Sequence, residues 1–215
     1  MVAAIVMPNL IQNYQEQITV SKIKKFYSLI NQAYQLASIE NPPPQAIAIT
    51  TTSVPATVEG STKLYNYFKP YLKIAKDCGF EAGCFPNSFY KKLNGTDSVN
   101  FITRPSKNYM VILNDGSAIS FMLESIEYAD TAIPQLGVIY YDINGPKPPN
   151  TFGKDIFQVH ITPEGIKLPD YMKMSQKMQR CYETGYSCMG WVIKYGNLDY
   201  LHCDDLEFRG KISCK

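Results

Sequence analysis

Met1 to Met7 is an unbroken apolar run at the start of the chain. Beyond it the pattern changes. Ile23, Phe26, Tyr27, Ile30, Ala33, Tyr34 and Ala37 recur three and four apart and form one apolar stripe. Lys22, Lys24, Lys25, Ser28, Asn31, Gln32 and Gln35 fill the other side. The spacing predicts one long amphipathic helix over about residues 9–39. Asn41-Pro42-Pro43-Pro44 ends it, because proline lacks the N–H and clashes with the preceding turn. Pro8 is expected to kink or loosen the apolar end.

Residues 41–63 are rich in Pro, Thr and Ala and read as a connection with little regular structure. A helix is predicted over 62–76, broken near Pro70, with Tyr65, Phe68, Leu72 and Ile74 available for packing. Period-two patterning then takes over. "YMVILNDGSAISFML" is two β-rich runs joined by Asn114-Asp115-Gly116, a strong hairpin signal. Further strands are predicted at about 137–142 and 155–161, the latter closed by Pro163-Glu164-Gly165. "MGWVIKYGN" reads as a short strand ending at a Gly196-Asn197 turn. Three or four antiparallel strands make one sheet, and its apolar face needs a cover. The distal half of the long helix supplies it, so the expected class is α+β.

Six cysteines fall as Cys78/Cys84, Cys181/Cys188 and Cys203/Cys214, an even count in near pairs that points to disulfides in an oxidising compartment. Their spacing does not fit paired zinc ligands, and neither His160 nor His202 belongs to a ligand-spaced pair. Near-neighbour pairing is one connectivity; Cys181 with Cys203 is another. The expected organisation is a spine helix over residues 1–40 and a disulfide-stapled globular head over 41–215. Net charge is only +2, with no basic stripe and no interleaved aromatic motif, so no nucleic-acid partner is expected. A Gly-rich phosphate loop, HExxH and GxSxG are all absent, and no carboxylate pairs with a base on one element. No enzyme is expected.

"DINGPKPPNTFGKD" concentrates oxygen donors at Asp142, Asn144, Asn150 and Asp155, with Gly145 and Gly153 permitting tight turns. A hard cation such as Ca²⁺ takes six to eight oxygens from loops of this kind. The stretch is not an EF-hand: Gly145 comes too early and no glutamate stands at the twelfth position. The competing reading is a loop held by Asx-turns and prolines, with Asp142 and Asn144 bonding their own backbone. The sixteen tyrosines are either core and strand residues or a binding surface.

"VAAIVMPNLIQNYQ" resembles the middle of the N-terminal helix of type IV pilins and type II secretion pseudopilins. The loop resembles a "DxNGxKxPNxxGxDxF" segment, and the cysteine cluster a "CxxxxGxxCxxWIxxxxxxDYLxC" ending, both of pilin-like proteins. The resemblance implies a spine helix on a small antiparallel sheet. It implies that about fourteen helical residues, or about 21 Å, precede this sequence and carry the apolar membrane half with its glutamate and cleavage site. It implies a structural subunit parked in the bacterial inner membrane facing the periplasm, then assembled into a periplasmic or extracellular filament. Its partners would be other subunits, packed through Leu10, Ile11, Ile18 and Ile23. A calcium in the head loop occurs in some secretion pseudopilins, though on a different motif. Two further readings stand beside this one. The first is an extracellular binding or adhesin module on a pilin-like anchor. The second is a soluble disulfide-rich domain, which requires Val2 to Ile11 to be buried within the monomer.

Overall fold

The computed structural model describes residues 3–41, 56–86, 89–97, 107–124, 135–169 and 174–214. Helix α1 runs from Ala3–Glu40 without interruption, Pro8 included. Its inner stripe, Val20, Ile23, Phe26, Ile30, Ala33 and Ala37, is buried as the spacing requires.

The stripe packs on a six-stranded antiparallel sheet: β1 (Ile74–Gly79), β2 (Tyr109–Leu113), β3 (Ala118–Met122), β4 (Gly137–Asp142), β5 (Ile156–Thr162) and β6 (Gly165–Lys167). The strands lie side by side in chain order, so each connection joins neighbours. Register puts Val111, Ile119, Tyr141 and Phe157 in one row, and Tyr109, Phe121, Ile139 and Val159 in another. Both rows sit on the face turned to α1, where Phe26 stacks on Tyr141 with centroids 4.0 Å apart. Alternation places Met110, Ala118, Met122, Val138, Tyr140 and Ile156 on the other face. There they form a second cluster with Cys84, Phe85, Tyr90 and Phe152. A sheet covered on both sides explains why β3, β4 and β5 are buried at every position.

Helix α2 (Val58–Phe68) starts at Thr57, whose Oγ1 accepts the Gly60 N–H. It buries Leu64, Tyr65 and Phe68 beside Phe121. The helix expected over 62–76 ends sooner: Pro70 lies in a 3₁₀ turn (Lys69–Tyr71), and Ile74 opens β1. β1 carries two irregularities in its pairing with β2, which disrupt an otherwise open sheet edge.

"MGWVIKYGN" corrects the sequence reading. It is helix α4 (Cys188–Tyr195), preceded by α3 (Met174–Thr184). Gly196 follows in the left-handed region at φ 70°, and its N–H bonds Val192 O. Cys188, Trp191, Val192 and Tyr195 stand at i, i+3, i+4 and i+7. That spacing and the terminal glycine were the signals for a helix, and a run of β-formers masked them. Trp191 is fully buried and donates to Asn197 Oδ1 at 2.7 Å. The cysteines pair as near neighbours: Cys78–Cys84, Cys181–Cys188 and Cys203–Cys214.

Candidate functional site

Two features stand out: the stretch of α1 that outruns its own core, and the loop assembly at the end of the sheet from which it emerges. Lys22 Nζ donates to Ile143 O at 2.9 Å, Lys25 Nζ lies 3.3 Å from Asp115, and Phe26 stacks on Tyr141. Tyr34, Ser38 and Glu40 instead contact Tyr67 and Tyr71. So residues 22–26 lie at the sheet end carrying the β2–β3 turn and the β4–β5 loop, here termed the base. Helix residues before Val20 continue past that end.

There the helix surface is apolar and open. Leu10 is 68% exposed, Ile11 56%, Tyr14 65% and Ile18 40%. Ile23 corrects the sequence reading: at 0% exposure it faces the sheet and is closed to any neighbouring subunit. The soluble-domain reading required Ile11 to be buried, and it is not. Glu16, one turn further on, accepts a hydrogen bond from His202 Nε2 at 2.8 Å, pinning the emerging helix to the C-terminal segment. No helix among the described residues is long and apolar enough to cross a membrane.

The β4–β5 loop brings its four expected oxygen-bearing residues together around two buried carboxylates. Asp142 Oδ2 accepts the Tyr90 hydroxyl at 2.5 Å and Oδ1 accepts the Asn144 N–H at 3.0 Å. Asp155 takes the Asn150 and Thr151 N–H groups, both at 2.6 Å. Asn144 Nδ2 donates to Pro148 O at 3.1 Å. The Asx-type bonds of the competing loop reading are thus present. Two amide oxygens, Asn144 Oδ1 and Asn150 Oδ1, are buried and accept no hydrogen bond. Burial pushes the Asp142 carboxyl up to about 7, with Tyr90 opposing and Asp155 adding repulsion. Burial likewise pushes Asp155 up to about 6 against its backbone donors. Gly145 is confined by close approach, since a Cβ there would lie 2.9 Å from Gly116 O.

Sequence reasoning missed Tyr90, Glu16 and Lys22. Their contacts join residues 52, 186 and 121 positions apart, and no local pattern announces them. His160 is buried beside Gln158, and burial holds its imidazole well below the usual range, at about 3. That describes a neutral core residue rather than a proton carrier. Among the described tyrosines Tyr14 alone is exposed, and the others are buried or half-buried in the core and the strands. No group of three or more His, Cys, Asp or Glu side chains converges among the described residues.

Residues 9–83 match a family of unknown function, DUF6613, a stretch running from the exposed part of α1 through α2 and β1. Comparison with curated proteins and with solved structures returns no match.

Proposed function

We propose that this chain is a structural subunit of a type IV pilus or type II secretion pseudopilus-like filament, anchored and assembled through α1. The observation that carries the reading is that one uninterrupted helix has two destinations. From Val20 onward its apolar stripe is consumed by its own sheet and core, with Leu36 and Ile39 open at its far end, while Leu10, Ile11, Tyr14 and Ile18 are left open together. Leaving four large apolar side chains in water on a helix is unfavourable unless another surface covers them. Packing of that stretch against the same helix in other copies, in a head-to-tail relation, gives an open helical assembly instead of a closed ring. The pilin-like motifs at 2–15, 142–157 and 181–203 support the same reading. Electron microscopy and sedimentation of the chain test it: rods or concentration-dependent oligomers are expected, and their loss in L10S/I11S/I18S. A strictly monomeric chain at high concentration would overturn it.

The β4–β5 loop belongs to the proposal as a calcium site. Asp142, Asp155, Asn144 and Asn150 would hold the ion. Two buried carboxylates that repel each other and two buried amide oxygens without donors are the chemistry a hard cation satisfies. Bound there, the ion would supply the charge that the buried carboxylates lack and stiffen the base. Calorimetric titration with Ca²⁺ should give heat and a raised melting temperature; neither appearing would remove the ion from the account.

A further inference from the structure

On α1, Ile11, Tyr14, Ile18, Lys22 and Lys25 share one face: at 100° per residue they fall within roughly 80° of the helical wheel. Along the axis they pass from apolar to cationic. A shallow groove of about 340 Å³ follows them, lined by Tyr14, Gln17, Ile18, Ser21, Lys22 and Lys25. Lys147 and Lys154 are exposed on the β4–β5 loop. Lys91 and Lys92 lie beside them, since Lys91 N bonds Asn150 O. Against these six lysines this flank carries Asp115, paired with Lys25, Asp97, whose backbone pairs with that of Lys91, and the buried Asp142 and Asp155 of the same loop. The opposite flank of α1, where Glu16 meets His202, holds Asp204, Asp205 and Glu207 together with Arg209 and Lys211. In a chain of net charge +2, the lysine flank is a local excess of positive charge.

We propose that this flank docks on an anionic phospholipid surface, with Leu10, Ile11 and Ile18 among acyl chains and Lys22, Lys25, Lys147 and Lys154 among headgroup phosphates. The order of chemistries selects a bilayer. Apolar side chains lie below, lysines lie about 16 Å further along the axis, and long lysine stems reach to the interface. A nucleic acid supplies the phosphates and leaves the apolar turns in water. The inference rests on the membrane-anchored reading for the way the head is presented, and it adds the lipid charge that the head recognises.

The test is flotation of the full chain with vesicles of phosphatidylcholine alone and of phosphatidylcholine with 30% phosphatidylglycerol. The wild type should bind the anionic vesicles more tightly, and the difference should vanish in 1 M salt. K25Q/K147Q/K154Q should lose about a hundredfold for anionic vesicles, about fivefold per lysine, with binding to neutral vesicles unchanged. All three sites are exposed, and circular dichroism checks the fold. L10S/I11S should weaken binding to both. Equal wild-type binding to the two vesicles, or a triple variant indistinguishable from wild type, overturns lipid docking and leaves filament assembly standing. Lysine-dependent capture of duplex DNA with unchanged vesicle binding also overturns it. Binding to neither vesicle overturns docking, and if the chain is also monomeric, the anchored-subunit reading falls with it.

Discussion

At the scale of single residues, the base of the head stores a conflict that pH exposes. Asp142 and Asp155 are buried, and their carboxyls are raised to about 7 and about 6. A raised carboxyl favours the folded state below its unfolded value near 4, and that advantage is lost as pH rises through 6 and 7. In chelator, the Asp142 contribution lost between pH 4 and pH 8 is roughly 4 kcal/mol. His160 works the other way: its depressed value contributes stability above about 6.5 that is lost as pH falls. D142N should therefore flatten the decline seen on the way from pH 4 to pH 8, measured by urea unfolding in chelator. Under Ca²⁺ the ordering reverses, because the ionised carboxylates bind the ion and D142N forfeits that gain. A variant whose pH profile tracks wild type would show that Asp142 is not the titrating group. Gly185 sets a steric limit in the same region. At φ +80° a Cβ would fall 2.2 Å from Phe152 O, so G185A should cost about 3 kcal/mol or more by the same assay.

At the scale of elements, α1 is one helix with two kinds of surface, and paired substitutions separate them. Ile23 is in the core, and I23A should cost about 2–5 kcal/mol. Ile18 is exposed, and I18A should change monomer stability by under about 0.5 kcal/mol while weakening self-association. Phe26, stacked on Tyr141, ties the helix to the sheet; F26A should cost about 3–5 kcal/mol by denaturant unfolding. Reducing Cys181–Cys188, seven positions apart, removes about 2.5 kcal/mol on the loop-entropy account. The spine helix and the four central strands were legible because period and turn chemistry are local. Asn114-Asp115-Gly116 marked its hairpin, and β4 matches its expected span, Gly137–Asp142. Ile23 was misassigned because spacing marks an apolar face without saying which partner covers it. α4 was misread because Trp191, Val192, Ile193 and Tyr195 favour strands in isolation, while burial of Trp191 and Val192 in the main core favours the helix. β1 and β6 are edge strands; β6 has only three residues and β1 alternates weakly and pairs irregularly, so neither carries a local strand signal.

At the scale of the whole molecule, the head is complete without its helix end. The sheet is covered on both faces, one disulfide (Cys181–Cys188) lies in the main core and two others tie further segments to it, and the buried cluster ends near Val20. The free part of α1 thus adds little to the stability of the monomer, and its exposed side chains take their meaning from what covers them. The fold class could be read from the sequence, and so could the use of the cysteines as disulfides; which cysteine pairs with which stayed open until the fold set them side by side. The loop residues were found too, but their carboxylates' burial and the Tyr90 contact depend on chain segments 52 positions apart. The filament account makes one demand above the others. Sedimentation velocity of wild type and L10S/I11S/I18S across a hundredfold range of concentration measures it directly. The account predicts oligomers that grow with concentration for the wild type and a folded monomer throughout for the variant. A wild type that stays monomeric over that range, or a variant that associates equally well, would contradict it.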